Sequence, residues 1–235
     1  MKWRSIPESG PYHDLRPLRE IFAERKKAIS DYVPPDIQAV HQRTITTLKA
    51  ESFATMALAM HTTLPPFELP DHNGERVSSA ALLSKGRLVL CFIRGRWCPF
   101  CVGQMEAMNY IAAQIVAANA SIVAISPQTE KQAFFMHDQH KLTFPLLVDA
   151  HNALARQFGL VYKVPEEQQK LYRSTFVNLP FINGRDAHEN DSWELPIPAT
   201  YIVDRDGSIL FASADEDYTE RPEPLDLLSI LEHSA

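Results

Sequence analysis

Residues 88–109, reading LVLCFIRGRWCPFCVGQMEAMN, constrain this chain more than any other stretch. Six apolar residues, Leu88 to Ile93, have the length and character of a strand buried on both faces. A charged turn, Arg94-Gly95-Arg96, leads through Trp97 to Cys98-Pro99-Phe100-Cys101. Met105, Met108, Ala112 and Ile115 then recur every three or four residues, the period of an amphipathic helix. Cys98 is expected at the N-cap and Pro99 at the first helical position, where a missing N–H costs nothing. Free N–H groups and the positive helix end favour a thiolate there. Two sulfurs three residues apart in a first helical turn can also close a small disulfide ring. The alternatives are half a zinc site or two buried thiols. Zinc needs two more ligands, and no second close Cys/His pair has finger-like spacing, so a redox pair is the preferred reading.

The 235-residue chain is 45% apolar and 22% charged, enough for a globular protein with a full core. A net charge of −6 and the lack of a basic stripe argue against nucleic-acid binding. No apolar run is long enough to span a bilayer, and MKWRSIPESG does not read as a signal peptide. Three cysteines, two of them in one motif, do not make a secreted disulfide framework, so the expected compartment is the reducing cytoplasm.

Residues 1–62 are expected to form a helical extension. Asp14 to Ser30 carries Leu15, Leu18, Ile21 and Phe22 on one face, and Pro34-Pro35 ends that helix. Asp36 is expected to cap a second helix reaching about His61, with Ile37, Val40, Ile45, Leu48, Met56 and Met60 as its apolar positions. The extension is either an arm packed on the main domain, the preferred reading, or a homodimerisation arm. Residues 63–235 are expected to form the main domain. They open with a hairpin at Asn73-Gly74, a helical turn over Ala80–Lys85 and the strand at Leu88. The cysteine helix, a strand Ser121–Ser126, a helix capped by Thr129, a strand Thr143–Val148 and a helix Asn152–Phe158 stopped by Gly159 follow. This alternation implies βαβ units and a central sheet with helices on both faces. Residues 161–198 are polar and turn-rich, and are expected to form a functional loop with one short helix, Glu166–Arg173. Strands Ala199–Val203 and Ser208–Phe211 flank a hairpin turn, and a helix over Glu223–Glu232 closes the chain.

The order of hairpin, strand, cysteine helix, βαβ unit, hairpin and helix resembles the thioredoxin fold. Within it, FIRGRWCPFC followed by AISPQT, FPLLVD and PATYIVDRDG is similar to the peroxiredoxin superfamily, the alkyl hydroperoxide reductase and thiol-specific antioxidant group. WCPFC and SWELPIPATY resemble a peroxiredoxin-like branch, over about residues 60–235. The resemblance implies an α/β, thioredoxin-like fold behind an N-terminal helical extension. It also implies a thiol peroxidase that reduces hydrogen peroxide or organic hydroperoxides through Cys98 and Cys101. Thioredoxin or a similar dithiol donor would recycle it, and no metal or organic cofactor would be required. The alternatives are a thiol–disulfide oxidoreductase acting on protein disulfides and a non-enzymatic redox sensor.

The family pattern P-x-x-x-T-x-x-C puts Cys101 at the cysteine, Cys98 at the threonine and Arg94 at the proline. The family also uses an arginine from a late strand, and here that place falls on Pro198, where thioredoxins carry a cis-proline facing the sulfurs. The Ile197–Pro198 bond is therefore expected to be cis, with Pro198 against Cys98 and Cys101. Arg94, Arg96 or Arg173 would supply the missing charge, although Arg94 and Arg96 can also be read as a solvated turn. Trp97 is expected to shield the sulfurs, and Trp193 either lines the entrance or packs. Cys91 reads as an inert core thiol. His137 and His140 read as a surface face rather than a metal site. For the attacking sulfur, the alignment favours Cys101, whereas nearness to free N–H groups and solvent favours Cys98; of the two, Cys98 is preferred.

Overall fold

The apolar run at residues 88–93 forms the central strand of a computed structural model that describes residues 16–186 and 188–233. Five strands stand in the order β5 (Leu146–Val148), β4 (Ala120–Ser126), β3 (Arg87–Phe92), β8 (Ala199–Val203) and β9 (Ile209–Ala214). β3, β4 and β5 run parallel, and β8 and β9 continue the sheet antiparallel. Alternation along β3 divides the interior. Val89, Cys91 and Ile93 face the core beneath α4 (Pro99–Ala117), while Leu88, Leu90 and Phe92 face a second core with Phe158 and Tyr201. α5 (Glu130–Gln139) and α9 (Pro224–His233) join the first core, and α6 (Ala153–Gln157) joins the second. A short hairpin, β1 (Glu68–Pro70) with β2 (Arg76–Ser78), and α3 (Ser79–Leu83) precede β3. This is the thioredoxin-like α/β arrangement expected. Among the described residues no helix is long and apolar enough to cross a membrane.

Two helices precede this domain. α1 (Leu18–Tyr32) starts after Pro17, so the expected positions Asp14 and Leu15 lie outside the described residues. Its first N–H groups, at Leu18 and Arg19, donate to the Glu223 carboxylate at 2.7 and 2.8 Å, so a residue just before α9 caps it. Leu18 and Phe22 are buried on α4, and a Cβ on Gly103 would lie 2.8 Å from the Phe22 ring and 2.7 Å from the Arg25 guanidinium. Glycine is what lets α1 come so close.

α2 (Pro35–Ala50) is shorter than its apolar spacing suggests. Ser52 takes a left-handed conformation, φ 52°, and the chain folds into a single tight turn over Phe53–Met56. Met56 and Met60 are 58% and 47% exposed and do not extend the stripe formed by Ile45 and Leu48. Asp36 is not the cap: Pro34 holds that place, Pro35 begins the helix, and Asp36 lies in the first turn, where its charge still suits the dipole.

Residues 161–198 are not a loop. β6 (Val161–Lys163) pairs antiparallel with β7 (Glu194–Pro196), and between them lie α7 (Glu166–Ser174) and α8 (Leu179–Ile182). The expected helix is present as α7, one residue longer at its end, whereas three-residue strands are too short to show alternation. β5 is likewise shorter than expected, because Pro145 has no N–H to pair.

Among the described residues no peptide bond is cis, so Ile197–Pro198 is trans, contrary to the expectation. The Ile197 N–H donates to the Leu160 carbonyl at 2.8 Å, and Ala199 pairs with Phe92. The segment thus runs extended from one ladder into the next, a path that the lower-energy trans bond follows without strain.

Candidate active site

The strand-to-helix turn places both cysteines where its sequence indicates. Cys98 is the N-cap of α4 with extended backbone, φ −91° and ψ 113°, and Pro99 is the first helical residue. Cys101 lies one turn in. Neither sulfur is open to solvent: Cys98 is 1% exposed and Cys101 0%, against the expectation of a solvent-facing Cys98. α1 closes over this end, with Phe22 edge-on to Phe100 at 5.1 Å and the Arg25 guanidinium bonded to the Pro99 carbonyl. All three cysteines are free thiols.

Two arginines address the sulfurs. Arg94, 1% exposed, has Nη1 4.0 Å from Cys98 Sγ, and its backbone N–H points to Cys101 Sγ at 3.4 Å. Its guanidinium also bonds the Tyr172 hydroxyl and lies 4.7 Å from the Trp97 ring centre and 4.2 Å from that of Tyr218. Arg221, between β9 and α9, has Nη2 3.7 Å from Cys101 Sγ, while its Nε donates to Gln104 Oε1 at 2.8 Å. Gln104 in turn donates to the Thr200 hydroxyl at 3.1 Å. Among the described residues, neither arginine has a carboxylate within ion-pair distance.

A buried guanidinium without a carboxylate needs another anion, and the thiol pair is at hand. Burial opposes ionisation of Cys98, but the Cys101 thiol donating to it and the charges of Arg94 and Arg221 hold its pKa well down, to about 5. Cys101 is pushed up, first by burial and then by the Cys98 charge beside it. The two thiols titrate as one coupled pair in which the charge is favoured on Cys98. Cys91 bonds Thr200, and burial pushes its thiol up to about 12, in keeping with an inert core residue.

The other expected site residues divide. Trp97 is half-buried against Arg94 and Tyr172, the latter 5.3 Å away ring to ring. Pro198 is buried next to Ala199 at the end of the sheet where β3 delivers Arg94. Arg96 is exposed and turned to α5, with Nη1 3.3 Å from Gln132 Oε1 and its guanidinium near the Phe135 ring. Arg173 is also exposed and lies over Trp193, which is buried in the second core. The histidines do not form a surface face, because α4 and the β1–β2 turn pack against them. His140 bonds buried Glu106 at 2.9 Å, and His137 stacks on His72 at 3.6 Å. Arg221, Tyr172, Tyr218 and Gln104 carried no local signal in the sequence. Their nearness to the sulfurs is a product of tertiary packing.

Among the described residues, the one group of three His, Cys, Asp or Glu side chains close enough to share an ion is His151, Glu189 and Asp191, which contains neither cysteine. A depression of about 280 Å³ adjoins the cysteine turn, lined by Arg25, Arg96, Trp97, Pro99 and Val102 among others. A larger one, about 470 Å³, lies at the opposite end of β3 beside Arg87 and Asp204 and has no cysteine in its wall.

Residues 60–212 match the AhpC/TSA family. A Mycobacterium tuberculosis protein that carries a provisional peroxiredoxin name is 34% identical over 116 residues, covering 49% of this chain and 75% of the relative. Among solved structures, peroxidoxin BcpB from Mycobacterium tuberculosis superposes with a TM-score of 0.58 at 23% identity, covering 74% of this chain and 96% of the other. Peroxiredoxin Q from Xanthomonas campestris superposes with a TM-score of 0.55 at 17% identity, covering 77% and 99%.

Proposed function

The chain belongs to the AhpC/TSA family and is a peroxidase of the peroxiredoxin type, and on that premise we propose that Cys98 is its attacking sulfur and Cys101 the resolving one. The observation that carries this assignment is the division of charge: buried Arg94 faces Cys98 with no carboxylate among the described residues to neutralise it. The Cys98 thiolate attacks the terminal oxygen of a hydroperoxide. An S–O bond forms, the O–O bond breaks, the sulfur is oxidised to a sulfenic acid and the peroxide is reduced to an alkoxide or hydroxide. Cys101 gives that leaving group its proton, which releases the alcohol or water. The Cys101 thiolate left behind is stabilised by Arg221 and by the Arg94 N–H, and it displaces hydroxide from the sulfenic acid to form the disulfide.

Two buried donors without acceptors among the described residues, Arg94 Nε and Trp97 Nε1, are suited to hold the peroxide oxygens. Thioredoxin or a similar dithiol donor then restores the pair from the Trp97–Pro99 side, in a reducing cytoplasmic setting. The burial of both sulfurs supports a small peroxide, rather than a protein disulfide, as the oxidising substrate.

The test is peroxide consumption with a dithiol donor, joined to sulfenic-acid trapping in Cys98→Ser and Cys101→Ser. We expect turnover by the wild type and trapping only in Cys101→Ser. Trapping only in Cys98→Ser reverses the assignment. Protein-disulfide reduction without peroxide consumption makes the chain a thiol–disulfide oxidoreductase.

A further inference from the structure

The family match begins at residue 60, yet a continuous line of hydrogen bonds runs from α2 to the reactive sulfur. The Gln168 amide nitrogen lies 3.0 Å from Nδ1 of His41 and 2.8 Å from the Tyr172 hydroxyl. An NH₂ group has one proton for each. The Tyr172 oxygen also accepts from Arg94 Nη2, and the other terminal nitrogen of Arg94, Nη1, is the one directed at Cys98. Gln168 is 1% exposed and Tyr172 2%, so solvent does not compete for the bonds among Gln168, Tyr172 and Arg94, while His41 is half-buried. The ring of His41 is also flanked by Tyr172 and Tyr218, at 5.9 and 6.0 Å.

We propose that His41, Gln168 and Tyr172 are positioning residues that hold the Arg94 guanidinium against Cys98, which makes the N-terminal helix α2 a working part of the active site. This rests on the reading of Cys98 as the attacking thiolate. A guanidinium on a flexible stem has several places to go in a ring of aromatic faces, and its stacking on Trp97 and Tyr218 does not set its rotation about the ring normals. The hydroxyl of Tyr172 does, together with that of Tyr162, which also bonds Arg94, because it fixes one nitrogen and thereby aims the other. Gln168 orients that hydroxyl, and His41 orients Gln168. His41 serves as the acceptor only when neutral, and burial, with the nearby Arg94 charge, keeps it so by lowering its pKa to about 4. α2 has a second tie to α7, the Arg43–Glu167 ion pair on the surface, which touches none of the relay. That pair separates positioning from simple docking of the helix.

The experiment follows the Cys98 thiolate by its ultraviolet absorbance across an acid titration, and the second-order rate with hydrogen peroxide, in full-length Tyr172→Phe, His41→Leu, His41→Gln and Arg43→Ala. Tyr172→Phe is expected to raise the titration midpoint by about one pH unit and to slow the peroxide reaction about fivefold at the wild-type midpoint, approaching tenfold below it. His41→Leu is expected to shift both the same way by a smaller amount. His41→Gln, whose amide oxygen replaces the acceptor, is expected to restore them, and Arg43→Ala to leave them at wild type. Wild-type midpoints in folded Tyr172→Phe and His41→Leu overturn the proposal, as does an Arg43→Ala shift as large as that of His41→Leu. Should Tyr172→Phe not fold, the His41 pair decides alone. The titration needs no peroxide, so it stays readable even if the peroxidase assignment fails.

Discussion

Arg94 and Arg185 are both buried arginines, and they end in opposite surroundings. The Arg185 side chain is 1% exposed and pairs with Asp191, whose carboxylate also takes the His151 ring at 2.8 Å. Arg94 is buried as deeply and meets two sulfurs, tyrosine hydroxyls and aromatic faces instead. A buried guanidinium is costly unless an anion answers it. At Arg185 the fold supplies that anion itself, and the result is a structural clasp. On the proposed assignment the charge that answers Arg94 comes from Cys98, so part of the cost of burying the arginine is offset only when the thiol ionises. On that assignment a nearly closed site would hold a reactive thiolate.

The comparison predicts that equivalent damage at the two places has different consequences. Arg94→Met should cost the most, lowering the rate of peroxide reduction by about 10²–10³, the scale of losing one charged donor at a reacting group. It should also move the Cys98 thiolate step toward the ordinary thiol range, and stopped-flow peroxide kinetics with an acid titration read both. Asp191→Asn should do the reverse: the fold loses about 2 kcal/mol, less than for a fully buried pair because Asp191 keeps 24% of its side-chain surface in water. Denaturant unfolding measures that loss, and the thiolate titration should not move.

Arg221→Gln sharpens the division within the site. Disulfide formation should slow about tenfold, since the charge beside Cys101 is removed, and the first oxidation should slow less. Mass spectrometry after one equivalent of peroxide should find a longer-lived sulfenic acid. The smallest effect belongs to Cys91→Ala. Its thiol titrates far above neutrality, so turnover should be unchanged, with a stability loss of about 1 kcal/mol for the vacated volume.

The parts of the molecule written in local pattern were legible. The strand Leu88–Ile93, Cys98 at the N-cap, Pro99 behind it and the hairpin around Gly74 each depend on residues close in sequence. The surroundings of the sulfurs do not. His41, Tyr172, Tyr218 and Arg221 arrive from α2, α7 and the segment after β9, and no period or motif links them. The sequence reading offered Arg96 and Arg173 beside Arg94, and the helical turn shows why Arg173 does not serve. On α7, Tyr172 faces inward and its neighbour Arg173 faces out. The cis-proline expectation failed for a related reason: it was carried over from a resemblance, whereas here the local ladders draw residues 196–199 into an extended path. Between β6 and β7 the helix over Glu166–Ser174 was legible, whereas β6, β7 and α8, three or four residues each, are too short to show a period.

The central claim is that the thiol pair carries one negative charge at neutral pH and that it resides on Cys98. The direct measurement is the thiolate absorbance of the wild type, Cys98→Ser and Cys101→Ser from acid to neutral pH. Because the folded pKa of Cys98 lies below that of a free thiol, its thiolate should be fully present at neutral pH and disappear as the pH falls through about 5. The account predicts one thiolate in the wild type and in Cys101→Ser, and none in Cys98→Ser. A wild type with no thiolate at neutral pH, or a thiolate that survives Cys98→Ser and vanishes in Cys101→Ser, contradicts it.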